Sequence, residues 1–313
     1  MVSRLAMKDW LGRLASRTPT MALADDRTGC TFWLKLEYLL PSGSTKDRVA
    51  AFILLQGIEA GLITERTLVV EASSGSTAIA FAMACAVIGV RFRAVMPEGV
   101  TPERLLMIRR YGGETVLTRP ERGIAGAIEE ARQMAAGNRL VFWPQQFDNP
   151  LSATTHQRFT GPELIADVGR PIDGFVAGVG TGGTLMGIGR ALREAGQATA
   201  IVRARPEHGI CLAGEPEVCG GIPGVVDGLS TILDVASIST SEDILVPDPD
   251  AIAAARLLAK RGLPVGPSSG LNFAACVRLA GRLGPGHHIA TVLCDRMERY
   301  FSSSLFDDVR DQP

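Results

Sequence analysis

Short apolar, β-branched runs that alternate with longer helix-patterned stretches constrain this chain more than any other feature. Residues 32–37 read as a strand and 47–60 as a helix closed by Gly61; 67–71 is the next strand and 77–88 a small-residue helix closed by Gly89. The rhythm continues through strands at 91–96, 114–117 and 140–143, with helices at 102–111 and 124–136 between them. It resumes with strands at 175–178 and 199–203, helices at 249–261 and 272–283, and a strand at 288–293. Strands separated by helices need crossover connections, so the expected fold class is α/β with mostly parallel sheets. In such sheets ligands gather beyond the carboxyl ends of the strands. The 313 residues suffice for about two domains, with boundaries expected near residue 41 and near 146–150.

The charge balance excludes several partners. Basic and acidic residues number 32 and 33, a net charge of -1, which offers no footprint for nucleic acid or an anionic membrane. The longest apolar run, residues 78–90, is well short of the ~20 residues of a membrane span. The six cysteines (Cys30, Cys85, Cys211, Cys219, Cys276, Cys294) are scattered, form no CxxC pair and show no ligand spacing with the four histidines. No metal site is therefore expected, and free thiols of this kind point to a reducing cytoplasm. The first 14 residues carry Arg4, Lys8, Asp9 and Arg13 without a long apolar stretch, and are expected to form an amphipathic helix, not a secretory signal.

Four segments share a chemical character: Ser42-Gly43-Ser44-Thr45-Lys46, Ser73-Ser74-Gly75-Ser76-Thr77, Gly178-Val179-Gly180-Thr181-Gly182-Gly183-Thr184 and Ser268-Ser269-Gly270. Each follows an extended stretch near the start of a helix pattern. Glycine lets backbone amides approach an anion, hydroxyls add donors, and a helix N-terminus favours negative charge. Ordinary turns and helix caps use the same residues, so any one loop has two readings. The third also fits G-x-G-x-x-G, but a dinucleotide site would want an acidic residue about 20 positions on. The following strand ends instead in Arg203-Ala204-Arg205, with Glu207 only beyond Pro206.

Lysine is scarce. Only Lys8, Lys35, Lys46 and Lys260 are present, and 28 of the 32 basic residues are arginine. Lys8 lies on the amphipathic start, Lys35 in a strand and Lys260 at a helix end, where cations are favoured anyway. Lys46 alone stands in a hydroxyl- and glycine-rich loop at a helix start, where the local field disfavours its ammonium form. An amine with a depressed pKa is a usable nucleophile toward an aldehyde.

These residues resemble the cysteine synthase branch of the fold-type II pyridoxal phosphate enzymes, which includes O-acetylserine sulfhydrylase and cystathionine β-synthase. The likeness runs from Arg17-Thr18-Pro19 to Arg299-Tyr300-Phe301-Ser302-Ser303. It takes in Met96-Pro97-Glu98, Gln145-Gln146-Phe147, Asn149-Pro150 and Thr160-Gly161-Pro162-Glu163. The resemblance implies two three-layer α/β domains with mostly parallel sheets, the tryptophan synthase β-like arrangement. The smaller domain, 41–147, would carry the substrate-carboxylate loop, and the larger, 1–40 plus 148–313, would bind the cofactor's phosphate. It further implies that pyridoxal 5'-phosphate is held by Lys46 as a Schiff base, with its phosphate cradled by Gly180, Thr181, Gly182, Gly183 and Thr184. Ser268 would hydrogen-bond the pyridine nitrogen, and Ser76, where the family usually has Asn, would face the phenolate oxygen. Ser73, Ser74, Gly75 and Thr77 would bind the substrate carboxylate with Gln146 as their partner.

The implied activity is β-replacement on an activated L-serine (O-acetylserine or O-phosphoserine) by sulfide or thiosulfate, giving cysteine through an aminoacrylate intermediate. Serine at position 268 brings no counter-charge, which leaves the ring a modest electron sink and suits β-chemistry over transamination. Desulfhydrase-type β-elimination to pyruvate, ammonia and sulfide is the alternative within enzymes. A non-catalytic binding protein is the alternative outside them, and an intact Lys46 counts against it. The expected partners are a small amino-acid substrate, a sulfur nucleophile and a second copy of the chain in a homodimer. Two departures from the family bear on substrate: Ser76, and a 220–228 loop that holds Pro223 and Asp227, the latter read as a turn or cap residue or as a substrate contact. Cys294-Asp295-Arg296 resembles the type B sulfhydrylases, which also accept thiosulfate.

Overall fold

A computed structural model describes residues 9, 11–73, 75–208, 222–225, 228–238 and 240–310. Its strands are β1 (Thr20–Asp25), β2 (Cys30–Lys35), β3 (Leu68–Ala72), β4 (Arg91–Pro97), β5 (Glu114–Thr118), β6 (Val141–Phe142), β7 (Gly174–Gly178), β8 (Ala200–Pro206), β9 (Thr240–Val246) and β10 (His288–Val292). They form a six-stranded sheet, ordered β1-β2-β10-β7-β8-β9, and a four-stranded sheet, ordered β5-β4-β3-β6. All neighbours run parallel except β1 against β2. In the middle of the large sheet Ala290 stands opposite Trp33 on one side and Phe175 on the other.

Alternation along the strands gives each sheet two apolar faces. In the large sheet Phe32, Leu34, Val176 and Val202 pack toward the helices Asp248–Lys260 and Pro267–Leu283. Their neighbours Phe175, Ala177 and Ile201 pack toward Gly161–Val168 and Gly183–Glu194. In the small sheet Val69 and Phe92 face the helices Lys46–Glu59 and Ser76–Ile88, while Val70 and Val95 face Gly123–Ala135. Both units are therefore three-layered. Among the described residues no helix is long and apolar enough to cross a membrane.

Most helices and strands lie within a residue or two of their sequence-expected places, and the larger differences have physical causes. The helix expected from 272 begins at Pro267, a residue that suits a first helical position because its missing N–H would be unpaired there anyway. Ser268 and Ser269 thus belong to a helical first turn. The strand expected at 32–37 ends at Lys35, because Glu37–Leu39 turns into a 3-10 segment. β1 and β9 were not anticipated; both are edge strands, and β9 opens with polar Thr240-Ser241-Glu242-Asp243. Of the expected N-terminal helix, residues 11–14 are helical, with Leu11 and Leu14 buried in the core of the small sheet, while 1–8 lie outside the described residues.

A buried ionic knot joins the two units. Arg48, on the first turn of Lys46–Glu59, is 0% exposed; its Nε and Nη2 donate to the two oxygens of Glu37 at 2.9 Å each. Its Nη1 and Nη2 also reach Glu163 at 2.8 and 2.7 Å. Glu37 accepts further bonds from Thr18 Oγ1 at 2.6 Å and Thr45 Oγ1 at 3.1 Å. Lys35, equally buried, pairs with Glu163 at 2.9 Å and Asp167 at 3.3 Å. Truncating one partner of such a group strands the other charge away from water. Glu37→Ala is expected to cost about 3–5 kcal/mol of unfolding free energy in urea. The half-exposed Arg93–Glu114 pair gives the contrast: Arg93→Ala should cost less than about 1 kcal/mol.

Candidate active site

Each sheet has one place where its strand order reverses, between β3 and β6 in one and between β7 and β10 in the other. Crossovers leave such a point in opposite directions and open a crevice at the strands' carboxyl ends. Here the two crevices face one another across a single cavity of about 140 Å³. Lys46, Ser73, Gly75, Ser76, Thr77, Gln146, Gly180, Thr181, Gly182, Gly183, Thr184 and Ser268 all line it. Pro223 does too. Ser74 and Asp227 lie outside the described residues.

Lys46 is the first residue of its helix and opens onto the cavity. Enclosure by protein lowers its pKa below that of an ordinary lysine, with Cys294 and the carboxylates of Asp295 and Glu37 pulling the other way. The loop before it is held by Asp47, whose carboxylate accepts from the Ser42 amide at 2.6 Å and from the Ser42 hydroxyl. Burial pushes Asp47 up to about 7, while Ser42 and the Arg299 charge oppose that rise.

The 180–184 loop leads from β7 into the helix Gly183–Glu194, whose first-turn amides have no partner within the helix. The loop packs too closely for a side chain at two positions: a Cβ on Gly180 would run into the Gly224 carbonyl oxygen, and one on Gly183 would meet Ser152 backbone at 3.0 Å. Asn272 fixes its root, accepting from Gly178 N at 2.7 Å and donating to Val292 O at 2.9 Å. Ser230 bonds the carbonyls of both Thr181 and Phe147, at 2.6 and 2.9 Å, and so ties this loop to the Gln146 loop. His156 stands behind Thr184, its Nε2 at 3.4 Å from Oγ1, with Nδ1 at 2.9 Å from Thr160 Oγ1. Burial, aided by the Lys46 and Arg48 charges, holds this histidine well below its usual pKa, so it is neutral.

On the opposite wall, Ser73 Oγ accepts from the amides of Gly75 and Ala78, both at 3.2 Å. That hydroxyl works as a helix cap as well as a lining group. Gln146 donates from Nε2 to Ala72 O at 2.5 Å, and its amide reaches Glu71 Oε2 at 3.1 Å. Its neighbour Gln145, at φ 58, is the one non-glycine residue with positive φ among the described residues. A conformation of that kind costs about 1–3 kcal/mol and persists only where the surroundings impose it. The carbonyl of Gln145 accepts from the amides of Asp148 and Asn149, at 2.9 and 2.8 Å. Burial pushes Glu71 up to about 8 from an ordinary 4.5, although the amides of Ala72 and Gln146 favour its charged form.

Sequence reasoning did not single out Arg104, Asn272, Cys294, Asp295 or Tyr300 as site residues, yet all line the cavity. Asn272 had a usable signal: it lies four residues beyond Ser268 and so on the same helix face. Arg104 and Tyr300 had none, since they meet only in three dimensions, with the guanidinium 5.0 Å from the ring centre.

The family profile described as "Pyridoxal-phosphate dependent enzyme" matches residues 13–295. Cysteine synthase B of Campylobacter jejuni is 37% identical over 297 residues, covering 95% of this chain and 98% of that protein. A hydrogen sulfide-producing enzyme from Fusobacterium nucleatum superposes with a TM-score of 0.90 at 33% identity, over 99% of this chain and 94% of its own. O-ureido-L-serine synthase superposes at 0.89 with 33% identity, over 97% and 96%.

Two outcomes test the site's construction. Gly180→Ala is expected to weaken pyridoxal phosphate binding at least about tenfold in a fluorescence titration, because the loop must shift away from Gly224. Glu71 sets a pH dependence. Its folded pKa lies above its unfolded one, so folding takes up a proton, and stability present below about 4.5 is lost progressively up to about 8. Glu71→Gln should flatten the decline in unfolding free energy, measured by urea titration between pH 5 and 8, by up to about 1.4 kcal/mol per pH unit.

Proposed function

Because the chain belongs to the pyridoxal-phosphate dependent enzymes, we propose that it catalyses cysteine synthase-type β-replacement, exchanging the leaving group of an activated L-serine for a sulfur nucleophile. One observation carries the reading. Lys46, an amine whose pKa is lowered by burial, makes no hydrogen bond or ion pair among the described residues and faces donor-rich loops across the cavity.

The residues present fit the cofactor. Lys46 would bind its aldehyde carbon. The amides of the 180–184 loop, with Thr181 and Thr184, would take its phosphate in a cradle that has no room for a side chain at Gly180 or Gly183. Ser268 would meet the ring nitrogen. Beside it Cys294 is a neutral thiol, pushed up to about 11 by burial, so neither Ser268 nor Cys294 supplies a counter-charge. Bound there, pyridoxal phosphate supplies an electron sink for the α-carbon of an amino acid.

The protein's own groups do the rest. Ser73, Gly75, Thr77 and Gln146 form the wall proposed to receive the substrate carboxylate, and the Arg104 cation on the same wall favours an anion there. The lowered pKa of Lys46 favours the free amine, whose Nζ can accept the α proton and return it later. The same reading carries a cytoplasmic setting, a homodimer, and the division at residues 41 and 147.

β-Elimination that releases sulfide is the second reading, favoured by the likeness to the Fusobacterium enzyme. Separate incubation with O-acetylserine plus sulfide, O-phosphoserine plus sulfide, and cysteine alone distinguishes the two. Cysteine as the main product supports replacement, pyruvate with sulfide supports elimination, and neither product, with no cofactor bound, supports a binding protein. Lys46→Ala is expected to lose activity by about 10²–10⁴-fold or more. Lys260→Ala, on the far end of an outer helix, should stay within about twofold of the unaltered protein.

A further inference from the structure

The donor and an acceptor site of Ser76 are both committed to one distant segment. Its Oγ donates to Asp295 Oδ2 at 2.8 Å and accepts from Arg299 Nη1 at 2.8 Å. Tyr300 donates to the same Asp295 oxygen at 2.7 Å, and Arg299 Nη2 reaches the Ser42 carbonyl at 2.5 Å. Asp295 and Arg299 are 4% and 2% exposed. The segment also grips the helix Pro102–Arg110. Thr101 Oγ1 donates to Arg299 O at 3.3 Å, Ser302 Oγ donates to Glu103 Oε2 at 2.9 Å, and Arg104 lies over the Tyr300 ring. Residues 295–302 therefore touch the loop before Lys46, the start of the substrate loop's helix, and the helix beyond it.

We propose that Ser76 is a positioning residue. It clasps the 73–77 loop to Asp295 and Arg299, and so sets the loop's geometry toward the substrate carboxylate without itself contacting the cofactor. This differs from the part that the family resemblance implied for position 76. The other Asp295 oxygen, Oδ1, is buried without a hydrogen-bond partner, so the charge is balanced on one side only, by Ser76, Tyr300 and the Arg299 cation 3.9 Å away. Without the serine hydroxyl that carboxylate draws Arg299 toward itself, and Arg299 is the group that spans Ser42 and Ser76. The clasp rests on the proposed reaction only for the identity of the ligand.

Hydrogen exchange on the purified full chain, with and without pyridoxal phosphate, reads the clasp directly. In Ser76→Ala the amides of Gly75, Ala78 and Ile79 are expected to exchange about tenfold faster, while Ser76→Thr, which keeps the hydroxyl, stays near the unaltered protein. Combining Ser76→Ala with Asp295→Asn should add little to the single change, since both cut the same link. With O-acetylserine and sulfide, Ser76→Ala should raise the amino-acid KM about five- to tenfold and leave kcat within about twofold. Unchanged exchange in Ser76→Ala overturns the proposal whatever reaction the protein catalyses. A fall in kcat or in cofactor affinity at constant KM also overturns it, by placing Ser76 at the reacting groups. If the protein makes no cysteine, the proposed function fails while the exchange result stands by itself.

Discussion

A guanidinium sealed from water and shared between two carboxylates decides where the groups around the cavity can stand. Arg48 is fixed by four hydrogen bonds to Glu37 and Glu163, which come from the turn after β2 and from the helix Gly161–Val168. Residues two apart on a helix point about 200° apart. Holding Arg48 in the knot therefore turns Lys46 the opposite way, toward the cavity. The arrangement is demanding, because each desolvated charge costs several kcal/mol that only good geometry returns. Any other rotation of the helix Lys46–Glu59 would bury Arg48 without partners, and it would withdraw Lys46 from the strand ends. The knot thus selects one placement among several that hydrophobic packing alone would allow.

With the lysine aimed, sheet topology supplies what it faces. Both sheets reverse their strand order at the cavity, so four strand ends deliver loops to one space. Those loops are held by buried polar side chains: Asn272 at the root of the 180–184 loop, Glu71 at the Gln146 loop, Asp47 at the turn before Lys46. Two of the three are carboxylic acids whose burial brings them into the neutral range. Backbone amides beside each carboxylate favour its charged form and burial favours its neutral form, so their proton balance follows the packing of the loops they hold.

Local chemistry was legible in the sequence, and long-range chemistry was not. The glycine–hydroxyl loops were readable because a loop carries its donors within a few residues, and the cavity brings together every described one of the predicted site residues. The motifs Thr18, Arg48 and Glu163 could be quoted from the sequence, but their shared purpose could not, since Arg48 and Glu163 lie 115 residues apart. The contact of Ser76 with Asp295 spans 219 residues. The resemblance implied a cofactor contact for position 76, from the asparagine the family usually has there; the partners its hydroxyl has in this structure, Asp295 and Arg299, arrive from the other end of the chain. The edge strands escaped for a different reason: a strand buried on one face only, or opening in polar residues, lacks the apolar run that marks a central strand.

Lys35 and Lys46 show how far environment, and not residue type, assigns the chemistry. They lie eleven positions apart, on either side of the same knot. Lys35 has given its ammonium two carboxylates and the Thr18 carbonyl at 2.5 Å, so its charge is the form the fold needs. Lys46 has none of these: the carboxylate of the adjacent Asp47 is held by Ser42, and Glu37 is saturated by Arg48, Thr18 and Thr45. Burial lowers the amine's pKa and outweighs the opposing fields of Cys294, Asp295 and Glu37. The knot that aims Lys46 also absorbs Glu37, one of the carboxylates whose field reaches its amine. The amine's orientation and the withholding of one neighbouring carboxylate then follow from one set of hydrogen bonds, since the glutamate that pins Arg48 is spent on it.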